Sequence, residues 1–104
     1  MDSINDTYRL NNGVDIPCVG FGTYKAAAGE SQAVLGMAIQ AGYRYFDTAS
    51  FYGTEAYLAR AIRDSGVPRA DFFIASKLWK DEMGYEGAKA AFARTLEALE
   101  TDYL

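Results

Sequence analysis

The sequence contains no histidine and only one cysteine, Cys18. Ser-His-Asp triads, Cys-His pairs and histidine-ligated metals therefore cannot be built from these 104 residues, and no metal is expected in them. Cys18 has no partner within the chain for a disulfide. We therefore expect it to be a small buried hydrophobic residue, and the low cysteine count favours a reducing, cytoplasmic location.

Clusters of positive charge and long apolar runs are also absent. The 10 Lys and Arg residues are scattered singly among 14 acidic residues, which gives a net charge of −4. Without a basic stripe to contact phosphates, nucleic-acid binding is not expected. No run of 18 apolar residues is present to span a membrane, and the polar, acidic residues 1–6 do not resemble a signal peptide. Half of the residues are hydrophobic, which predicts a globular protein.

The chain instead contains a repeated strand–helix pattern after an amino-terminal hairpin. Asn12-Gly13 lies between two short apolar segments, 8–10 and 14–16, and is typical of a tight hairpin turn, with Pro17 ending the second strand. Strands are predicted at 19–22, 43–46 and 72–75, and helices at 30–41, 55–65 and 86–100. Glycines at 42 and 66 stand where the first two helices should end.

The apolar positions predict which faces are buried. The first helix should bury Leu35, Ala38 and Ile39, and the second should bury Leu58, Ala61 and Ile62. The third should bury Ala88, Phe92, Leu96 and Leu99. The continuous apolar strand 72–75 is typical of a strand that is buried on both faces of a parallel sheet.

Alternating strands and helices predict an α/β fold with a parallel sheet. Eight such units make a closed (β/α)₈ barrel of roughly 200–250 residues, and three units cannot close one. We therefore interpret residues 1–104 as a single domain that is the front part of a longer barrel. The alternatives are a small open α/β domain, or a fragment that folds only as an oligomer by pairing its open sheet edges.

Three polar side chains follow the predicted strands. Asp47 ends one strand, Tyr52 lies in the loop after it, and Lys77 follows the next strand. Because the carboxyl ends of parallel strands converge in a barrel, these side chains should meet, and a lysine buried there would need the Asp47 carboxylate as its partner. An ammonium group beside a phenol makes it a better acid than its usual pKa of about 10 allows, which suits proton donation. The alternatives are a helix cap, a packed aromatic ring and a surface lysine.

Residues 20–25 contain only part of a dinucleotide fingerprint. The spacing G-x-G-x-x-G requires a third glycine where this chain has Lys25, so a Rossmann fold is not indicated. Gly20 and Gly22 then indicate either a close approach of the backbone to a ligand or a tight turn.

Several motifs together resemble the amino-terminal portion of the aldo-keto reductase superfamily. They are residues 42–49 (GYRYFDTA) followed by Glu55 and Leu58, residues 74–79 (IASKLW) and residues 20–24 (GFGTY). One departure is Ala59, where the family usually has glycine, and a helix tolerates this change.

The resemblance implies a (β/α)₈ TIM barrel in the parent protein, of which this chain covers the hairpin across the bottom and the first three βα units. It implies reduction of aldehydes or ketones to alcohols with NADPH, with Tyr52 as the general acid tuned by Lys77 and Asp47. The implied cofactor-binding residues are Gly22, Thr23, Tyr24, Asp47 and Lys77, and the implied substrate-binding residues are Tyr24, Phe51 and Trp79.

The resemblance also implies what residues 1–104 do not contain. The family's catalytic histidine and its adenosine-phosphate site are expected in later parts of the barrel, so this chain alone is expected to be inactive. A cofactor-binding regulatory subunit on the same barrel is the alternative to an enzyme. The partner would be a small carbonyl substrate, and the full-length protein is expected to be a monomer or weak dimer.

Overall fold

The computed structural model describes residues 3–23, 31–50 and 53–104, and in the first helix it describes side chains from Ala33 onwards. Its strands are β1 (Thr7–Arg9), β2 (Asp15–Pro17), β3 (Phe21–Gly22), β4 (Tyr45–Asp47) and β5 (Phe73–Ala75). Its helices are α1 (Ser31–Ala41), α2 (Glu55–Ser65) and α3 (Tyr85–Leu99), with 3-10 turns at Arg69–Asp71 and Lys80–Glu82. None of the helices described is long and apolar enough to cross a lipid bilayer.

The predicted hairpin is present, but its second strand is placed one residue later than expected. β1 and β2 pair antiparallel, with Tyr8 opposite Ile16. Gly13 has φ of 85°, a left-handed conformation that glycine adopts readily. The prediction that Pro17 ends the second strand is confirmed, because Pro17 is the last residue of β2, where it lies opposite Thr7. A proline is tolerated there because a two-stranded ribbon leaves one side of each strand without a partner.

The three predicted βα strands form one parallel sheet in the order β3-β4-β5. All three are shorter than predicted, and β3 contains only Phe21 and Gly22. Gly20 precedes β3 and packs so closely on Tyr45 that an added Cβ atom would lie 2.9 Å from the tyrosine ring. Gly20 is therefore explained by close packing on Tyr45, which neither reading of this glycine from the sequence, a ligand approach or a tight turn, included.

The core lies between the sheet and the first two helices. The predicted inner faces of α1 and α2 are confirmed, because Leu35, Ile39, Leu58 and Ile62 are buried. They surround Phe46, which points from β4 and is completely buried. The predicted helix start at Glu30 lies outside the described residues.

Several side chains of β5 and α3, together with Cys18, are less buried than the sequence predicted. Phe73 and Ala75 of β5 are only half-buried, and Cys18 is half-buried as well. On α3 the buried residues are Ala91, Thr95 and Leu99, whereas Phe92 is 48% exposed. The strand was predicted to be buried on both faces and Phe92 to be buried, and both predictions were wrong. The reason is that, in the described part of the chain, no further element packs over these side chains.

The segment after α3 is held by one arginine. The Arg69 guanidinium donates hydrogen bonds to the Phe72 carbonyl, to the Thr101 hydroxyl and to the Tyr103 carbonyl, at 2.8, 2.9 and 2.8 Å. It also lies 4.0 Å from the centre of the Tyr103 ring. Residues 101–104 have no strand conformation.

Candidate active site

An ion pair lies at the carboxyl ends of β4 and β5. The parallel register places Gly22, Asp47 and Ala75 side by side, and Lys77 follows two residues later. The Lys77 Nζ atom lies 2.8 Å from both carboxylate oxygens of Asp47 and donates to the Thr48 carbonyl at 3.0 Å. The contact that the sequence predicted between Asp47 and Lys77 is therefore present.

This ion pair is not buried, contrary to the expectation of a buried ammonium. The side chains of Lys77 and Asp47 are 49% and 41% exposed. Pairs with this exposure add at most about 1 kcal/mol to folding stability. The pair therefore contributes little to folding, and it presents a fixed positive and a fixed negative charge at an open rim of the sheet.

The backbone at the rim is held by hydrogen bonds that continue the sheet beyond its strands. The Thr23 N–H donates to the Asp47 carbonyl at 2.9 Å, and the Thr48 N–H donates to the Ala75 carbonyl at 2.8 Å. The Ser50 N–H donates to the Lys77 carbonyl at 3.2 Å. The loop that follows Asp47 is thus attached to the loop that follows β5.

Three buried threonines support the rim from inside, and we call them the threonine cluster: Thr23, Thr48 and Thr54. All three are fully buried. The Thr54 hydroxyl lies 3.0 Å from the hydroxyls of both Thr23 and Thr48, and the Thr23 hydroxyl donates to the Asp47 carbonyl at 3.1 Å. The hydroxyl of Thr23, an implied cofactor residue, therefore bonds within the protein. Sequence reasoning missed Thr48 and Thr54, although Thr48 follows Asp47 directly in the quoted motif.

A buried glutamate joins three elements just below the rim. Glu55, the first residue of α2, is 7% exposed and accepts hydrogen bonds from the hydroxyls of Ser76 and Thr95, at 2.9 and 3.3 Å. Its charge lies in the first turn of α2, where the helix dipole stabilises an anion. The sequence indicated Glu55 only as part of a motif, and the contacts define its structural role.

Trp79 and Gly22 complete the described part of the rim. Trp79 is half-buried, and its backbone N–H donates to Oε1 of Glu82 at 2.7 Å. Gly22 is exposed, and a Cβ atom placed on it would meet open space. The other three predicted site residues, Tyr24, Phe51 and Tyr52, lie outside the described residues.

The elements form the first three βα units of a (β/α)₈ barrel, and comparison with known proteins identifies the family. The family model "Aldo/keto reductase family" matches residues 18–104, so the chain belongs to this family. The barrel predicted from the sequence is also found in the solved relatives. An aldo/keto reductase from Brucella melitensis is 41% identical with a TM-score of 0.89, and 95% of this chain covers 38% of that one.

Other relatives show how much of the family's length this chain represents. It is 44% identical to the glyoxal reductase of Bacillus subtilis over 103 residues, which are 98% of this chain and 37% of that protein. It is also 44% identical to the morphine 6-dehydrogenase of Pseudomonas putida over 96 residues, which cover 92% of this chain and 32% of that protein. The chain therefore spans about a third of the length of these relatives and corresponds to their amino-terminal portion.

Experiments on activity and stability therefore need a chain of the relatives' length. We call this the completed chain: residues 1–104 continued by the rest of their own gene product or, in a chimera, by the remaining part of the Bacillus glyoxal reductase. Its numbering over residues 1–104 is unchanged.

The threonine cluster allows a prediction of stability. Replacing Thr54 by valine keeps the volume but removes the hydroxyl that Thr23 and Thr48 share. We expect Thr54→Val to lower the free energy of unfolding of the completed chain by about 1–3 kcal/mol, because a buried hydroxyl loses its partner. Denaturant unfolding measures this change. Thr7→Val, at an exposed position of β1, is the matched control, and equal effects of the two variants would contradict a role for the cluster.

Proposed function

We propose that the protein containing this segment reduces aldehydes or ketones to alcohols with NADPH, and that Tyr52 is the general acid. Asp47 and Lys77 tune that acid, and the completed chain is needed for turnover. The observation that carries the proposal is the ion pair of Asp47 and Lys77 at adjacent strand ends, where active sites of (β/α)₈ barrels are built.

The chemical argument starts from the proton that carbonyl reduction requires. The oxygen of the carbonyl group gains negative charge as the carbon is reduced, and a nearby acid lowers the barrier by donating a proton to it. A phenol is a weak acid at neutral pH, and a neighbouring ammonium group strengthens it by stabilising the phenolate. In the proposed mechanism Lys77 supplies that ammonium group, and the Asp47 carboxylate holds it at the rim.

The described rim fits the nicotinamide end of the proposed cofactor. Gly22 leaves open space above the end of β3, and the side chains of Asp47 and Lys77 are about half exposed beside it. These three residues would hold the nicotinamide end, with Thr23 below them. When bound, NADPH supplies the hydride. Adenosine-phosphate contacts are expected from later parts of the barrel.

The test is an assay of the completed chain with NADPH and a panel of small aldehydes and ketones. We expect oxidation of NADPH, followed at its absorbance, to depend on the added carbonyl compound, with one alcohol formed for each NADPH consumed. The relatives named for glyoxal and morphine chemistry suggest dicarbonyl compounds and cyclic ketones as the first substrates to try.

Two other outcomes would change the conclusion. Tight NADPH binding without turnover of any carbonyl compound would favour the regulatory subunit. Absence of both binding and turnover in a folded completed chain would contradict the proposed function altogether.

A further inference from the structure

Glu82 connects the two loops that carry proposed functional residues. Its Oε1 atom accepts a hydrogen bond from the Ser50 hydroxyl at 2.5 Å and a second from the Trp79 backbone N–H at 2.7 Å. Its Oε2 atom accepts a weaker bond from Arg94 at 3.3 Å. One carboxylate thus joins the β4–α2 loop, the β5–α3 loop and helix α3.

The two ends of this link are close in sequence to the site. Ser50 precedes Tyr52 by two residues, and Trp79 follows Lys77 by two residues. The Ser50 N–H also donates to the Lys77 carbonyl, so the serine contacts the second loop through both its backbone and its side chain. Without Glu82, the bond from the Ser50 N–H to the Lys77 carbonyl, at 3.2 Å, would remain to join Ser50 to the second loop.

The carboxylate is held like a structural anion. Its side chain is only 17% exposed, although it lies in a short turn at the rim. The Ser50 hydroxyl, then the Trp79 N–H and, more weakly, Arg94 hold the pKa of Glu82 below its usual value, so the group is ionised at neutral pH. Hydrogen bonds to an ionised acceptor are stronger than those between neutral groups.

We propose that Glu82 is a positioning residue, whose carboxylate fixes the loop that carries Tyr52 against the loop that carries Trp79. This inference rests on the proposed function, because it assigns the two loops to the proton donor and to the substrate wall. Glu82 itself contacts neither the substrate nor the cofactor in this role. It acts by keeping the distance between donor and substrate wall constant.

The experiment compares variants of the completed chain. Glu82→Ala removes both strong bonds, and Ser50→Ala removes only one, so it remains informative where the first variant folds poorly. Glu82→Gln keeps a carbonyl oxygen that can accept from Ser50 and from Trp79, and it should recover most of the activity. Asp81→Ala is the matched control, since Asp81 is an exposed acid in the same turn and no hydrogen bond of its side chain is found in the described part of the chain.

We expect Glu82→Ala to lower kcat by up to about 10²-fold, because small misplacements of reacting groups have effects of this size. Ser50→Ala should lower kcat less. NADPH affinity should stay within a factor of about two in both variants, because Glu82 lies outside the proposed cofactor contacts. A fall in NADPH affinity or in unfolding temperature that matches the fall in kcat would overturn the proposal, because it would indicate general destabilisation.

Amide hydrogen exchange gives a second measurement that does not depend on activity. Loss of the link should speed exchange in both loops, residues 48–54 and 76–82, and Asp81→Ala should change neither. Faster exchange confined to residues 79–84 would overturn the proposal. If the unsubstituted completed chain binds NADPH but reduces no carbonyl compound, the proposed function fails. The hydrogen-exchange data then decide by themselves whether Glu82 joins the two loops.

Discussion

We expect Tyr52→Phe to reduce kcat for carbonyl reduction by the completed chain by about 10²–10⁴-fold, the usual contribution of a general acid. Phenylalanine keeps the ring but has no proton to donate, so packing of the loop should be preserved. The dissociation constant of NADPH, measured by fluorescence titration, should change little. Steady-state assays with one good aldehyde substrate give kcat.

A second Tyr→Phe substitution controls for the loss of a hydroxyl as such. Tyr57 on α2 is 39% exposed, and its ring centre lies 5.5 Å from the Arg60 guanidinium. Tyr57→Phe should leave kcat unchanged. Turnover by Tyr52→Phe at the same rate as Tyr57→Phe would remove Tyr52 from the mechanism.

The second large effect is expected for Lys77→Met. Methionine has a similar length but no charge, so the phenol would lose the ammonium group that strengthens it as an acid, and Asp47 would lose the partner that lies 2.8 Å away. We expect kcat to fall by at least about 10²-fold, as for other losses of acid catalysis. The unfolding temperature of the variant, measured beside kcat, shows whether the substitution also changes folding.

Lys89→Met is the matched control for this substitution. The Lys89 side chain is exposed on α3, and its ammonium lies 5.1 Å from the centre of the Tyr85 ring. We expect its kcat and unfolding temperature to equal those of the unsubstituted chain. A Lys77→Met variant that retains normal turnover would remove Lys77 from the proposed mechanism.

The sequence predicted best those features that depend on local periodicity. The helix at 55–65 has the predicted bounds, because Thr54 and Gly66 flank a clear apolar stripe and Gly66 adopts the left-handed conformation that ends a helix. The contact between Asp47 and Lys77 was also predictable, because a parallel register brings equivalent strand ends together. The roles of Tyr24, Phe51 and Tyr52 remain predictions from the resemblance.

The predictions that failed concern contacts distant in sequence. The exposure of Phe92 depends on what packs against its side of α3, and the periodicity of α3 does not contain that information. The half-exposed state of Lys77 has the same origin. The side-chain links of Thr48 to Thr54, of Glu55 to Ser76 and Thr95, and of Ser50 to Glu82 join residues 6 to 40 positions apart, so no helix or strand periodicity could indicate them.

Arg69 has a consequence for the growth of the sheet. With one guanidinium it holds the carbonyls of Phe72 and Tyr103, and so ties the Tyr103 backbone to the residue before β5. A polypeptide that continued from Leu104 extended and parallel to β5 would then add a fourth strand to its free edge. Lys77 is five residues beyond Phe72, and strands advance equally per residue, so a side chain about five residues beyond Tyr103 would reach the height of the ion pair. One arginine would thereby fix the register in which the barrel is extended.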